Sequence, residues 1–354
     1  MAQNDQKPRI LIVGAGPAGL TLALLLARAG IIAHVIEQRD APNNLSRAVG
    51  VFPKTLKQLP DDLCQTLCAA SHQMNAAHLH MNRKPLIKIT FPDGDMHKVY
   101  GLPQDETEQL LRQDFETHGG TVRFSHHLSE LSQTSGAVHA TINDRLEIYH
   151  HVIGADGVNS VVREQVGQEH HGFTLPDPWS IADFYADNLS DDLSVWLLRG
   201  GHFAGAVPIG NNRYRAFSSH PDALAAIPID VRLRKTNREA TFHAGVRCVK
   251  EFQIGRVFLI GDAAHIHTPL GARGMNLAMQ DAAALARCFI NNDFTNFSTD
   301  RVAQAQFYAK LTERMRYVLT LKNPVAVWLR NIIMRGVFCI PPLRRRVEAL
   351  FTSL

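Results

Sequence analysis

The stretch that decides the fold lies near the N-terminus and reads RILIV (9–13), GAGPAG (14–19), LTLALLLARAG (20–30) and IIAHVIE (31–37). The first part is a short apolar run rich in β-branched residues, which predicts a buried strand. The third part is a strong helix pattern that ends at Gly30, and the fourth is a second strand that ends on Glu37. This order of strand, glycine turn, helix, strand and acidic residue predicts a dinucleotide-binding unit.

Each glycine in this turn has a physical task. Gly14 allows the tight turn, Gly16 lets the backbone approach a pyrophosphate, and Gly19 lets the helix pack closely on the strand. The helix N-terminus offers unpaired N–H groups and a partial positive charge to the phosphates. Glu37 can accept both ribose hydroxyls of an adenosine half, and its charge disfavours a 2′-phosphate there. The motif alone leaves open whether the dinucleotide is FAD or NAD.

The composition is that of an ordinary globular protein. Of the 354 residues, 45% are hydrophobic and 20% are charged, and the net charge is +4. These values exclude a disordered chain, and so small a positive excess gives no argument for nucleic-acid binding. The length favours two domains. The five cysteines are scattered and odd in number, so no disulfide framework is expected and a reducing, cytoplasmic location is predicted.

The N-terminal segment is expected to be neither a signal peptide nor a membrane span. Residues 1–9 are polar, and no small-residue cleavage site follows a separate apolar core. Residues 10–36 are apolar enough to score in a hydropathy window, but four glycines and a proline, placed as a nucleotide-binding turn requires, argue against a span.

Two later segments have the same strand-to-turn layout. Residues 145–153 (RLEIYHHVI) predict a strand that runs into GADGVNSVVR (154–163). Residues 255–260 (GRVFLI) predict a strand that runs into GDAAH (261–265). Thr268-Pro269-Leu270 and GARGMN (271–276) then lead into a helix, LAMQDAAALARCF.

With these three motifs in order, the chain resembles the flavin-dependent aromatic hydroxylases, the group built like p-hydroxybenzoate hydroxylase. SRAVG (46–50) and LPQ (102–104) also match positions of that family. The resemblance extends over residues 8–290, and within 175–250 it is mostly a match of layout. It implies an α/β fold in which a Rossmann-like FAD-binding domain carries an inserted, mainly antiparallel β substrate domain.

The resemblance also assigns roles to residues. The glycine turn and Glu37 would hold the adenosine and pyrophosphate of FAD, and Arg47 and Gln104 would lie along the diphosphate and the ribityl chain. Asp156 belongs to a motif that supports both FAD and NAD(P)H binding, and Asp262 would bond the ribityl chain. The full predicted cofactor-binding set is Gly14, Gly16, Pro17, Ala18, Gly19, Glu37, Arg47, Gln104, Asp156, Asp262, Pro269, Gly271, Gly274, Met275 and Asn276.

The loop at 269–276 would sit beside the isoalloxazine ring. A glycine turn before a helix points N–H donors and a positive dipole end outward, which suits the negative charge of a reduced flavin. Where many members of the family carry Gly-Gly-Gln-Gly, this chain has Gly271-Ala272-Arg273-Gly274. An added cation near the flavin could alter its potential or its interaction with the reductant, which is expected to bind transiently near Arg47 and Asp156.

The remaining segments predict a discontinuous second domain. Residues 106–120 indicate an amphipathic helix, residues 85–91 and 96–100 a hairpin, and residues 179–218 an antiparallel meander. We expect the FAD-binding domain to comprise 1–71, 104–171 and 251–315, and the substrate sheet 72–103 and 172–250, followed by a helical segment, 316–354. Most of the candidate substrate contacts are expected to pack within the sheet, and at most one or two should face the flavin. The candidates are Phe184, Tyr185, Trp196, His202, Phe203 and Tyr214.

The sequence contains cysteine and histidine clusters that could bind a metal or act as acids or bases. Cys64, Cys68 and His72 recur every four residues, but two such cysteines on a helix are usually core, so no metal site is predicted. Adjacent histidine pairs on strands point to opposite faces and are poor chelators. His265 is interpreted as structural, and no catalytic acid or base is assigned.

The C-terminal residues 316–349 mix large apolar side chains with arginines that interrupt any membrane-spanning length. Three interpretations remain open: a helix packed on the FAD domain, an oligomer contact, and a peripheral membrane helix. The first is favoured, and the oligomeric state is left undetermined.

The resemblance implies an FAD-dependent monooxygenase. NAD(P)H would reduce the flavin, and O₂ would hydroxylate a small, electron-rich, aromatic substrate through a flavin C4a-hydroperoxide. The alternatives are another flavin activity on this fold, such as a lipid-type reductase or a halogenase, and a flavin-bound sensor without turnover. No halogenase-type Trp-x-Trp-x-Ile-Pro segment is present in the sequence.

Overall fold

The computed structural model describes residues 8–43 and 48–353. The helices, in chain order, are α1 Pro17–Arg28, α2 Pro53–Leu56, α3 Asp61–Ala70, α4 Gln104–Thr117, α5 Val161–Gln165, α6 Gly274–Asn291, α7 Phe297–Leu319, α8 Pro324–Cys339 and α9 Pro341–Ser353. The strands are β1 Ile10–Val13, β2 His34–Ile36, β3 Gly50–Val51, β4 His72–Met74, β5 Ala76–Met81, β6 Lys84–Thr90, β7 Val99–Gly101, β8 Val122–Arg123, β9 Leu128–Gln133, β10 Val138–Ile142, β11 Arg145–Tyr149, β12 His151–Gly154, β13 His171–Ala186, β14 Leu193–Leu197, β15 Phe203–Pro208, β16 Arg213–Ser218, β17 Leu233–Cys248, β18 Gln253–Ile254, β19 Val257–Leu259 and β20 His265–Ile266.

A six-stranded sheet in the order β18-β19-β12-β1-β2-β8 carries the first motif. β1 pairs in parallel with β12 and β2, and all four of its residues are buried. A central parallel strand is covered on both faces, which is why this run is apolar throughout. α1 packs against α4 and α6. The predicted unit of strand, glycine turn, helix and strand is confirmed.

The turn between β1 and α1 requires glycine at two places. Gly14 has φ +104°, and a Cβ there would lie 2.4 Å from the carbonyl oxygen of Ala155. A Cβ on Gly19 would lie 1.9 Å from the Gly14 carbonyl oxygen. Any side chain at either position would force the backbone apart. The second motif, which contains Ala155, therefore packs directly against the first.

Two predicted elements have different bounds in the structure. The strand expected at 145–153 is two strands, because the chain breaks at His150, whose N–H donates to the Arg9 carbonyl. β11 joins β9 and β10 in a separate antiparallel sheet, whereas β12 enters the six-stranded sheet. The helix expected at 106–120 begins at Gln104 and ends at Thr117, and Gly119 follows with φ +83°.

An eight-stranded sheet forms the second layer, in the order β20-β17-β13-β16-β15-β14-β5-β6. β14, β15 and β16 pair antiparallel in succession, which confirms that part of the predicted meander. β13 lies beside β16 rather than beside β14. β5 pairs with β14 in parallel, so strands on either side of α4 in the sequence share one sheet.

The hairpin predicted from residues 85–91 and 96–100 is wrong. β6 pairs with β5 instead, through a tight turn in which Asn82 has φ +49°. β7 joins β3 and β4 in a three-stranded sheet. The segment between β6 and β7 contains a 3₁₀ turn, and it leads the chain from one sheet into the other.

Helices α7, α8 and α9 form the C-terminal part. α7 runs across residues 315 and 316, where a boundary was expected, since the chain has no helix breaker before the Asn323-Pro324 pair. α8 and α9 contact β6, and α9 also contacts α2. α8 and α9 therefore pack mainly on the eight-stranded sheet rather than on the expected FAD-binding domain. Within the described chain no single helix is long and apolar enough to cross a membrane, although α8 with residues 341–349 passes that test as a pair bent by 101°.

Candidate functional site

The glycine loop opens toward solvent at the N-terminus of α1. Gly16 is the N-cap residue and Pro17 the first helical residue, and no side chain of the described part of the chain caps this end. No described atom lies within 4 Å of a Cβ built on Gly16. The helix therefore directs free N–H groups and its positive dipole end into open space, which suits an anion.

Glu37 ties this loop to the end of β2. Its carboxylate accepts hydrogen bonds from the Ala15 amide at 3.0 Å and from the Arg39 amide and guanidinium, each at 3.0 Å. Burial alone would raise the pKa of Glu37, but the hydrogen bonds from Arg39 and Ala15 outweigh it and lower the pKa. The Arg39 side chain is held at the mouth of the loop, a role that the sequence analysis missed.

A cavity lies beside Glu37, on the side of the loop where an adenosine would extend. It has a volume of about 280 Å³ and is partly open to solvent. Burial raises the pKa of Glu108 in this cavity to about 6, and Gln104 Nε2 donates to its carboxylate at 2.8 Å. The cavity is lined by Ala15, Leu20, Arg39, Pro42, Asn43, Asp105, Glu106, Glu108, Gln109, Arg112 and Phe124.

Gln104 occupies the first position of α4, next to this cavity. Its side-chain oxygen accepts from the backbone N–H of Ala48 at 3.2 Å. Its backbone N–H donates to the Ala48 carbonyl at 3.0 Å. Arg47, the residue before Ala48, lies outside the described residues, so its predicted role stays a prediction.

The second motif places a buried carboxylate beside the glycine loop. A Cβ on Gly14 would lie 2.9 Å from the Cα of Asp156. One oxygen of Asp156 accepts from the Val162 amide at 3.2 Å, while Oδ1 is buried without a partner among the described residues. Burial is the largest influence on this carboxyl and raises its pKa. An unsatisfied buried acceptor next to the loop fits a ligand that supplies a donor there.

The third motif packs on the first through small residues. A Cβ on Gly261 would lie 3.1 Å from the Cβ atoms of both Ala18 in α1 and Ala278 in α6. This contact places the exposed Asp262 beside the N-terminus of α1. Arg163, which the sequence analysis missed, joins the second and third motifs by donating to the Ala263 carbonyl at 3.2 Å.

The loop at 269–276 is held by the side chain of Asn276. Its amide nitrogen donates to the Gly50 carbonyl at 2.8 Å, and its oxygen accepts from the Phe52 amide at 2.9 Å. These bonds engage the side chain in anchoring α6 to β3, so only the backbone of Asn276 can face a cofactor. Gly274 lies open, with no described atom within 4 Å of a Cβ built on it, and Met275 is buried beside it.

Arg273 turns inward from this loop. It is 5% exposed, and its guanidinium carbon lies 3.9 Å from the centre of the Phe52 ring. Burial lowers its pKa to about 10, so it stays charged at neutral pH. The extra cation expected from the sequence is thus buried over an aromatic ring at the base of the loop.

A buried ionic network supports the third motif. Asp281 of α6 lies with Oδ2 2.6 Å from His265 Nε2 and accepts from the Gly261 amide at 3.0 Å. Arg301 of α7 donates through Nε to the other carboxylate oxygen at 2.7 Å. His265 is thereby held as a structural partner, as interpreted from the sequence. Asp281 and Arg301 were missed, and the sequence signals only Asp281, as an acidic residue inside the apolar run LAMQDAAALARCF.

The six candidate substrate contacts are divided between clusters. Phe184, Trp196 and Tyr214 belong to one apolar cluster of the eight-stranded sheet. Phe203 belongs to another, which also contains Leu270 of the loop at 269–276. Trp179, which was not among the candidates, packs on Phe203 with ring centres 5.0 Å apart. The remaining two, Tyr185 and His202, are half-buried.

The side chains of Cys64, Cys68 and His72 do not form a common site. Cys64 donates to the Leu56 carbonyl at 3.0 Å, and burial raises the pKa of its thiol to about 11. His72 lies on β4, beyond the end of α3, because Ser71 leaves the helix in an extended conformation. In residues 8–43 and 48–353 no group of three or more His, Cys, Asp or Glu side chains could hold a metal ion.

Comparison with known proteins settles the family. The profile of the FAD binding domain matches residues 7–225 and 218–292. The chain belongs to the FAD binding domain family. The dinucleotide cofactor of this family is FAD.

Relatives in the FAD binding domain family are named as monooxygenases. The chain is 28% identical to 6-methylpretetramide 4-monooxygenase of Streptomyces rimosus, over 98% of this chain and 69% of that protein. It is 29% identical to the uncharacterized aromatic compound monooxygenase YhjG of Bacillus subtilis, over 79% of this chain and 60% of that protein. The chain therefore spans between 60% and 69% of the length of these two relatives.

The fold of the FAD binding domain family is also found by structural comparison. The crystal structure of p-nitrophenol 4-monooxygenase PnpA from Pseudomonas putida DLL-E4 superimposes with a TM-score of 0.87, covering 98% of both chains at 20% identity. The predicted fold class, a flavin hydroxylase-type α/β architecture with a second, mainly antiparallel sheet, is confirmed.

Proposed function

We propose that this chain is an FAD-dependent monooxygenase that uses NAD(P)H and O₂ to hydroxylate a small, electron-rich, aromatic molecule. The observation that carries the proposal is the convergence of three motifs, far apart in sequence, on one surface. Asp156 lies against Gly14, and Gly261, the residue before Asp262, lies against Ala18 at the start of α1. The names of the relatives support the same class of reaction.

The residues present fit FAD. The open space at Gly16 faces the N-terminus of α1, where a pyrophosphate would accept N–H donors. Glu37 would hold the ribose, Asp262 the ribityl chain, and the loop at 269–276 the ring. Bound FAD would supply the redox and oxygen chemistry, which side chains cannot supply themselves. The chain contributes binding, orientation and exclusion of water.

We propose that 72–103 and 172–250 make up the substrate domain and that 1–71, 104–171 and 251–315 make up the FAD-binding domain. Trp179, Phe203 and Leu270 belong to one buried apolar cluster. An apolar wall of this kind keeps water and protons away from a reacting centre. The nicotinamide nucleotide is proposed to bind near Asp156 and Arg47, an exchange site rather than a second nucleotide-binding domain.

Turnover with labelled oxygen tests the reaction. The FAD-loaded chain, given NADH or NADPH and a panel of phenols, should oxidise the nicotinamide faster with a suitable phenol. One atom from ¹⁸O₂ should appear in the product. A substrate that speeds NAD(P)H oxidation while every product lacks the label would instead favour a reductase. A flavin that no nicotinamide reduces would favour a sensor.

Phe203→Leu is expected to uncouple NAD(P)H oxidation from hydroxylation, because a smaller side chain opens the apolar wall to water. The hydroxylated product per NAD(P)H should fall, and released hydrogen peroxide should rise by the same amount. Phe184→Leu is the matched control, since Phe184 is equally buried but lies in the other cluster. Equal coupling in the two variants would contradict the assignment of Phe203 to the pocket wall.

Glu37→Ala is expected to weaken FAD binding by about 1.5–3 kcal/mol, since it removes a charged hydrogen-bond acceptor. It also releases Arg39 and the Ala15 amide from their shared partner. The dissociation constant can be measured by fluorescence as FAD is titrated into the apoprotein. Glu130→Ala, at an exposed position on β9, should bind FAD like the wild type. Unchanged affinity in Glu37→Ala would exclude Glu37 from the cofactor site.

A further inference from the structure

One face of α8 exposes an apolar stripe. It consists of Val325, Trp328, Leu329, Ile332 and Ile333, which are 71%, 63%, 50%, 46% and 55% exposed. Their spacing of three and four residues places them along one side of the helix. Large apolar side chains so exposed and so close together mark a contact surface rather than random scatter.

α8 is packed against the rest of the protein, so the stripe is not exposed merely because the helix lacks contacts. Met334, on the same helix, packs against the apolar cluster that contains Phe203 and Leu270. Arg330 is 6% exposed, and its guanidinium donates to the Leu319 carbonyl at 3.1 Å at the end of α7. α8 is therefore fixed to the protein on one side and presents the stripe on the other.

The charged residues around the stripe are predominantly basic. Residues 314–354 contain eight Lys or Arg and one acidic residue, Glu348, so this segment supplies more than the whole net charge of +4. Glu348 is paired with Arg344 at 3.2 Å. Lys322 before α8, Arg335 within it, and Arg345 and Arg346 after it are exposed.

We propose that the α8 stripe and the basic residues around it bind the surface of an anionic lipid membrane. An apolar helix face with tryptophan, flanked by Lys and Arg, is the composition of a helix that lies in the interface. The apolar side chains would enter the boundary between headgroups and acyl chains, while the arginines meet anionic phosphates. At 16 residues, α8 is too short to cross the hydrocarbon core, and its other face is already packed.

The stripe could also bind a second copy of the chain. In a symmetric dimer the same patch of both copies would meet itself. The basic side chains of the two copies would then face each other with one acidic residue per copy to offset them. An anionic surface has the complementary charge, and it is therefore the occupant that the charge pattern favours.

Vesicle co-sedimentation tests the proposal with the FAD-loaded chain. Vesicles of phosphatidylcholine with phosphatidylserine should bind the chain about tenfold more tightly than phosphatidylcholine alone, and added salt should weaken this binding. Trp179 and Trp196 are buried, so of the three tryptophans only Trp328 should report contact. Its emission should shift to the blue when phosphatidylserine vesicles are added.

Substitutions on the stripe distinguish specific vesicle binding by this surface from nonspecific binding. Trp328→Glu and Ile332→Glu should abolish vesicle binding, and Arg345→Gln with Arg346→Gln should remove the preference for phosphatidylserine. Leu146→Glu is the matched control, because Leu146 is 65% exposed on β11, away from this helix, and it should bind vesicles like the wild type. Absence of binding to phosphatidylserine vesicles would overturn the proposal. So would a dimer in light scattering that Trp328→Glu converts to a monomer.

Discussion

Replacing Asp281 by alanine is expected to lower the free energy of unfolding by about 3–5 kcal/mol, because removing one partner of a buried ion pair leaves the other charge uncompensated. Arg301 is 8% exposed and would lose its carboxylate. The Gly261 amide would lose its acceptor as well. Urea denaturation, followed by circular dichroism, measures the change as a lower midpoint.

Asp300→Ala is the control for this substitution. Asp300 is exposed in the first turn of α7, next to Arg301 in the sequence. Its loss should cost no more than about 1 kcal/mol, the usual value for an acidic residue near a helix N-terminus. A similar midpoint for the two variants would mean that the Asp281 network contributes no more than a surface charge.

The Asp281 network also predicts how stability depends on pH. Burial alone would raise the pKa of Asp281, but Arg301 and His265 outweigh it and lower the pKa to about 2, from an ordinary 3.8. A group with a depressed folded pKa stabilises the protein above its unfolded pKa, and this contribution is lost as pH falls toward the folded value. Between pH 3.8 and about 2, the wild type should therefore lose stability more steeply than Asp281→Ala.

Gly16→Ala is expected to abolish retention of FAD while leaving the fold intact. A Cβ there meets no described atom within 4 Å, so the chain itself has room for it. The space is the one that a pyrophosphate needs at the N-terminus of α1. The variant should purify colourless, with the thermal midpoint of the wild-type apoprotein. Absorbance of the purified protein near 450 nm, roughly where oxidised flavin absorbs, measures retention.

Two other glycines complete the comparison. Gly136, in the turn between β9 and β10, likewise has no described atom within 4 Å of a built Cβ, and Gly136→Ala should stay yellow. Gly14→Ala should unfold, because its Cβ would press on Ala155 from a positive φ. A yellow Gly16→Ala would place the cofactor elsewhere.

The sequence predicted the parts of the site that lie within a local pattern. The glycine turn, Glu37 and the two later turns are each signalled by a strand running into glycines, and parallel strands bring such turns to one edge of a sheet. Arg39 and Arg301 gave no signal, because each acts on a partner that is defined by the fold. Asp281 and Arg301 show this well, since they meet from two different helices.

The errors in the sequence analysis have a shared physical cause. The pairing of β6 with β5, and of β7 with β3 and β4, depends on which strands the fold brings together rather than on their own composition. β-propensity indicates that a segment is extended but not where its hydrogen bonds go. The break at His150 was hidden for the same reason, since the strands on its two sides look alike in sequence.

The order of strands also decides when this chain can fold during its synthesis on the ribosome. β1 is made well before β12, beside which it lies, and β12 in turn pairs with β19 at Val257–Leu259. β5 must likewise wait for β14, more than a hundred residues later. Contacts so distant in sequence are slow to form. The nascent chain therefore carries the apolar β1 unpaired until β12 and β19 have been made, and during this period β1 is exposed to aggregation.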